Sequence, residues 1–243
     1  MKVVQKFLRN SLRNFNYLVY SEITAQAIVF DPYDIEILDK ECSARNLTAD
    51  ILLNTHYHPD HIRDNERFLK RNHTKKLELK DKEELRLTES EKVICRNTPG
   101  HVDGHKCFFL YEDNMLNGVI CGDTVFNAGV GNCKNGGNPI ELYESIRDIF
   151  YPLPDDVLIY PSHDYFLTNL KFAKTVDEKN HHIDDMIKEV ARDRDVDHFS
   201  ITTIGEEKKY NPFFRCFDKD FQKQHQKDEK ELFLYLRSLR DKW

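Results

Sequence analysis

Along the first two thirds of the 243-residue chain, apolar residues come in short runs separated by polar loops, at 17–20, 27–30, 51–53, 92–95, 106–111, 118–121 and 157–160. Runs of this length, rich in β-branched and aromatic residues and bounded by turn signals such as Asp31-Pro32, read as strands. Helical patterns lie between them at 35–45, 63–70 and 139–150, the last opened by Asn138 as a cap and Pro139 in the first turn. Strands mixed with helices predict two packed sheets, or one sheet with helices outside. After His163 the pattern changes to charged, helix-rich sequence at 169–176, 183–192 and 230–242. Asn211-Pro212 interrupts it, because the residue before proline is pushed out of the helical region. A boundary near 165–170 follows, giving a main domain over 1–168 and a small helical domain over 169–243.

Composition adds little until it is resolved along the chain. No stretch reaches the roughly 18 apolar residues of a membrane helix, and the N-terminus lacks a signal-type apolar run, so the chain is expected to be cytoplasmic, without a membrane partner. Six scattered cysteines without a C-x-x-C pair predict reduced, mostly buried thiols. The net charge of −6 gives no reason to expect nucleic acid. From Lys208 to Trp243, however, ten Lys/Arg face six Asp/Glu, leaving the tail at +4 and the remainder at −10. A solvated helical face accounts for this, and so does a cationic arm that captures an anionic substrate.

The candidate chemistry is concentrated where strands end. The run Asp50-Ile-Leu-Leu-Asn-Thr-His56-Tyr-His58-Pro-Asp60-His61 is a buried-strand pattern leading into four metal-ligand side chains. In extended chain His56 and His58 point to one side and can share an ion, while Asp60 and His61, past a proline bend, can face a second. Three further loops flank short strands: Thr98-Pro-Gly-His101-Val-Asp-Gly-His105, Cys121-Gly-Asp123-Thr and Tyr160-Pro-Ser-His163-Asp-Tyr165. Loops on one rim of a sheet are where rigid scaffolds hold sites. His105 is placed either to orient a neighbouring ligand or as a plain structural histidine.

T-H-x-H-x-D-H, followed by G-H, G-D and a late S-H, resembles the metallo-β-lactamase superfamily. The resemblance implies an α+β fold, a four-layer αββα sandwich with its site along one edge. It also implies that His56, His58 and His101 bind one metal, that Asp60, His61 and His163 bind a second, and that Asp123 bridges them, with Asp60 and Asp123 as the catalytic carboxylates. The cofactors would be two divalent ions, zinc first, with iron or manganese also suited to such ligands. Two metals about 3.5–4 Å apart lower the pKa of a water to about 7 and polarise a carbonyl, so a metal-bridging hydroxide is the expected nucleophile.

Within the superfamily three stretches look most like glyoxalase II, the hydroxyacylglutathione hydrolase family: 122–131 (Gly-Asp-Thr-Val-Phe-Asn-Ala-Gly-Val-Gly), 163–173 (His-Asp-Tyr-Phe-Leu-Thr-Asn-Leu-Lys-Phe-Ala) and 206–215 (Glu-Glu-Lys-Lys-Tyr-Asn-Pro-Phe-Phe-Arg). This narrower likeness implies hydrolysis of an S-2-hydroxyacylglutathione such as S-D-lactoylglutathione. Tyr165 would contact the glutathione moiety, and Arg237 and Arg240 would hold its carboxylates with the planar fork that suits arginine. The chain departs from the family at Ile62-Arg63-Asp64, where a glycine pair is usual, and at Asn132 and Lys134, where a lysine and a tyrosine contact glutathione; Lys134 would serve from a shifted position. A thioester suits the centre, since a thiol with a pKa near 8.5 departs without a strong general acid. The rival within enzymes is a persulfide dioxygenase with one Fe(II) on His56, His101 and Asp123. A silent binding module is disfavoured because all seven ligands are present. A monomer or weak homo-oligomer acting on a small molecule completes the expectation.

Overall fold

The structure, a computed structural model, describes residues 1–71, 73–195 and 199–243. It divides into two compact units, one of Met1–Asn97 with Lys106–Gly122 and one of Thr98–His105 with Asp123–Trp243.

The first unit runs β1 (Lys2–Phe7), β2 (Phe15–Tyr20), β3 (Gln26–Phe30), α1 (Ile35–Arg45), β4 (Thr48–Leu53), α2 (Pro59–Ile62), α3 (Asn65–Leu69), β5 (Lys75–Lys76), β6 (Glu84–Arg86), β7 (Glu91–Asn97), β8 (Lys106–Glu112) and β9 (Met115–Gly122). One sheet has the order β1-β2-β3-β4-β5, with β3 and β4 parallel across the α1 crossover. The α1 start is set by Asp34, whose carboxylate accepts from the amides of Glu36 and Ile37, and its end by left-handed Asn46. β6 to β9 form an antiparallel meander. Asp113 and Asn114, both left-handed, turn β8 back into β9 as a hairpin of this twist requires.

Register explains the layers. Val4, Leu18, Val29 and Leu52 form one row across four strands. They pack with Ile35, Leu38 and Cys42 of α1 and Phe68 of α3, so helices cover that face. The adjacent row, Tyr17, Phe30 and Leu53, points the other way, and the Phe30 ring lies 5.2 Å from Phe108 of the meander. A sheet buried on both faces reads as continuous apolar sequence. That is why 27–30 and 51–53 were legible as strands, whereas β1, half-exposed and carrying three polar residues, gave no such signal.

The second unit contains the hairpin β10 (Val125–Phe126) and β11 (Gly129–Val130), α4 (Pro139–Ser145) with a π-helical turn at Ile146–Phe150, β12 (Leu158–Pro161), α5 (Phe166–Val176), α6 (His181–Asp195), β13 (Thr202–Thr203), α7 (Ile204–Tyr210), α8 (Pro212–Arg215), α9 (Lys219–His225) and α10 (Glu229–Arg240). Asn138 caps α4 through the Ile140 amide. The helix expected over 139–150 is therefore α-helical only to Ser145, and the one expected over 63–70 starts at Asn65. Phe166, Leu170, Ala173, Ile183, Val190 and Tyr210 form a shared core of α5, α6 and α7. None of the six cysteines forms a disulfide, and all but Cys133 are buried. Among the described residues no helix is long and apolar enough to cross a membrane.

A buried polar clamp holds the tip of the β10–β11 hairpin. Asn169 donates to the Asn127 carbonyl, Asn127 to Thr202, and Asn211 to the Gly129 carbonyl. The Glu207 carboxylate accepts from the Ala128 amide at 2.8 Å, Asn211 at 2.7 Å and Thr202 at 2.8 Å. Burial pushes the Glu207 carboxyl from its ordinary 4.5 up to about 7, with these hydrogen bonds opposing the rise. The folded chain thus holds a proton that the unfolded chain releases above pH 4.5, so stability falls as pH rises from about 4.5 to about 7 and is level beyond. For this shift the loss is on the order of 3 kcal/mol. Glu207→Gln is expected to flatten that part of the urea-midpoint profile between pH 5 and 7; parallel profiles for the two proteins would refute the assignment.

Candidate metal centre

In the first unit, β4 ends at Leu53 and delivers Asn54-Thr55-His56 beside the end of β3, where Asp31 takes a left-handed φ of 46°. Asp31 accepts from the Thr55 amide at 2.8 Å and from the Thr55 hydroxyl at 2.5 Å, and lies 2.9 Å from His61 Nδ1. A carboxylate beside Nδ1 places the ring proton there and leaves Nε2 with its lone pair. The Thr55 hydroxyl, having donated to Asp31, accepts from His56 Nδ1 at 3.0 Å, which leaves His56 Nε2 as a donor atom too. That Nε2 faces His58 Nδ1 at 2.9 Å, so the two side chains converge as the alternation of extended chain requires. Asp60, in the short α2, puts Oδ2 3.4 Å from His61 Nε2 and accepts from Asn14 at 2.9 Å. Ligand atoms of Asp31, His56 and His61 lie within 4.8 Å of one another.

The departure at Ile62-Arg63-Asp64 has a local explanation. Buried Asp64 accepts from the Ile35 amide at the start of α1, and its own amide donates to the Pro32 carbonyl. Arg63 lies over the Tyr33 ring, 4.3 Å from its centre. The segment after His61 is thereby tied to the turn that follows Asp31.

In the second unit His105 is a splint. Its Nε2 accepts the Asp123 amide proton at 3.0 Å, so Nδ1 carries the proton and faces Thr98 and Thr124 hydroxyls at 3.0 and 3.1 Å. The orienting role for His105 is the one the structure supports. His101 Nδ1 donates to the Asn132 carbonyl at 2.7 Å, leaving Nε2 toward Asp123. The Asp123 carboxylate lies between two imidazoles, Oδ2 3.4 Å from His101 Nε2 and Oδ1 3.4 Å from His163 Nε2. Buried nitrogen and oxygen donors this close, with tautomers set from behind, fit divalent ions such as zinc, iron or manganese. Gly131 is required by close approach: a Cβ there would sit 2.0 Å from the Asp123 carbonyl and 2.9 Å from His101 Nδ1.

The His163 ring stacks on Tyr165 with centres 5.0 Å apart, and Phe126 meets both edge-on. Tyr165 opens into a cavity of about 180 Å³ that Lys134, Asn169, Arg237 and Arg240 also line. All four residues expected to bind substrate therefore share one pocket. Lys134 Nζ donates to the Asp241 carbonyl at 2.9 Å. Arg237 Nη1 donates to the carbonyls of Val130 and Gly131 at 3.1 and 3.0 Å, and Nη2 to Asp241. Desolvation lowers the pKa of both arginines.

The structure superimposes on ETHE1 from Myxococcus xanthus with a TM-score of 0.69 at 23% identity, over 98% of this chain and 90% of that one. It matches a metallo-beta-lactamase from Staphylococcus aureus subsp. aureus COL with a TM-score of 0.68 at 19% identity, over 97% of this chain and 66% of the other. The chain thus has the metallo-β-lactamase fold, the αββα sandwich that the ligand motifs implied. In sequence it is 32% identical to a hydroxyacylglutathione hydrolase of Nitrosococcus oceani over the whole of both chains, and 35% identical to one of Francisella philomiragia over 88% of each. The family model for the hydroxyacylglutathione hydrolase C-terminus matches residues 164–243. The chain belongs to the hydroxyacylglutathione hydrolase family.

Asp31 was not among the residues singled out from the sequence, and its position makes it the orienting partner of two ligands. Asp31→Asn is expected to weaken metal affinity about 10–100-fold, the usual cost of losing such a partner. A chelator-competition titration checks this, and unchanged affinity in a folded variant would contradict it.

Proposed function

We propose that the chain is a metal-dependent thioester hydrolase that cleaves S-2-hydroxyacylglutathiones, S-D-lactoylglutathione among them, to glutathione and a 2-hydroxy acid. One observation carries the substrate reading. The family's C-terminal model covers 164–243, the stretch that supplies Tyr165, Asn169, Arg237 and Arg240 to the pocket. His56, His58 and His101 would hold one divalent ion and Asp60, His61 and His163 the other, with Asp123 placed to serve both. When bound, the ions lower the pKa of a water to about 7 and polarise a carbonyl oxygen.

The chain's own residues do the rest. Asp60, fixed by Asn14, accepts a proton as the attacking oxygen forms its bond to the thioester carbon. Asp123, fixed through its amide by His105, keeps its carboxylate still while charge develops, so no reorganisation is needed at that moment. Lys134 and Arg240 hold carboxylates of the glutathione moiety, and Tyr165 packs against it. The C–S bond then breaks with the electron pair on sulfur, because a thiol of pKa near 8.5 leaves as thiolate. The helical segment 169–243 acts in this reading as the substrate-binding domain.

The test is loss of thioester absorbance from S-D-lactoylglutathione together with the metal content of protein purified without chelator. Turnover is expected, falling at least about 100-fold in His61→Ala, the scale of losing a group that fixes the reacting geometry. One iron per chain with no hydrolysis, and oxygen uptake with glutathione persulfide, would replace this reading by the dioxygenase.

A further inference from the structure

The two pocket arginines lie three residues apart on α10; both meet aromatic rings, and they differ in how many of their donors the protein takes up. Arg237, 5.4 Å from the Phe213 ring centre, commits Nη1 to the backbone of Val130 and Gly131 and Nη2 to Asp241. Arg240 is held by rings. Its guanidinium carbon lies 5.7 Å from the Phe172 ring centre and 5.2 Å from that of Trp243. The rings stand at 68° with centres 5.9 Å apart, making an aromatic corner against which the cation rests. A single hydrogen bond, Nη2 to Asn169 Oδ1 at 3.3 Å, fixes its rotation, and no other protein acceptor meets it among the described residues. Trp243 is kept there by its amide, which donates to the Leu239 carbonyl at 3.1 Å, while the residue as a whole stays 52% exposed.

Stacking restrains a planar cation without consuming its N–H fork. A hydrogen-bonded anchor would compete with a ligand for those donors, and an unrestrained arginine would lose rotamer freedom on binding one. We infer that Trp243 is a positioning residue for substrate capture: with Phe172 it holds the Arg240 fork toward the pocket, ready for a carboxylate of the bound molecule. The inference rests on the thioester-hydrolase reading for the identity of that molecule. The ring contacts of Trp243 are with Phe172 and Arg240, so its effect belongs to binding and not to the chemical step.

Trp243→Ala is expected to raise KM for S-D-lactoylglutathione about two- to fivefold with kcat within twofold, the scale of one exposed cation–π contact. Trp243→Phe should restore most of the loss, and thermal midpoints establish that both variants fold. Because Trp243 is the chain's single tryptophan, a glutathione titration of the unaltered protein should change its fluorescence saturably, and Arg240→Ala should abolish the change. Unchanged KM in Trp243→Ala, or a fall in kcat alone, would overturn the inference. If the unaltered chain turns over no thioester, the substrate reading falls and the titration decides by itself: a saturable change upholds the positioning role, and none overturns it.

Discussion

An imidazole offers a lone pair to an ion only when its other nitrogen carries the proton, and in a buried site that proton needs an acceptor of its own. Much of this structure is organised around meeting that condition. Asp31 meets it directly for His61 and through the Thr55 hydroxyl for His56. The Asn132 carbonyl meets it for His101. His105, in the opposite tautomer, lends its unprotonated Nε2 to the Asp123 amide and so fixes the backbone that carries this carboxylate. Each of these partners sits at the end of a strand or in the loop that follows one, which is why the two sheets come before the chemistry.

The same logic extends to the helical segment. Gly131 lets the backbone approach Asp123 and His101, and its carbonyl is in turn held by Arg237 from α10. The hairpin leading there is clamped at its tip by Asn169, Asn211 and Glu207, all from helical elements or their ends. Pocket and ligand-bearing loop are therefore parts of one hydrogen-bonded assembly within the second unit. Substituting Arg237 in α10 would therefore reach the loop that carries His101 and Asp123 through the backbone.

Several parts of this were legible in the sequence because they depend on near neighbours. Alternation in extended chain brought His56 and His58 together, Asn138 opened a helix in the manner of a cap, and doubly buried strands showed as unbroken apolar runs. What escaped depends on partners far along the chain. Asp31 acts on residues 24 and 30 positions away, and nothing in Phe30-Asp31-Pro32 beyond a strand ending in an aspartate announces it. Arg237 was expected to contact substrate through the family resemblance; that its Nη1 also holds carbonyls 106 and 107 residues earlier could not be read from the sequence. At Asn132 the backbone carbonyl, which any residue would supply, serves His101, while the side-chain amide oxygen accepts from the Lys134 amide.

The central claim is that one carboxylate, Asp123, serves two ions, each held otherwise by its own set of histidines and aspartates. Counting metal per chain by mass spectrometry in Asp123→Ala beside His58→Ala tests it most directly. The account predicts near two ions in the unaltered chain, near one in His58→Ala and well under one in Asp123→Ala. Two ions retained without Asp123, or one ion in the unaltered chain, would contradict it.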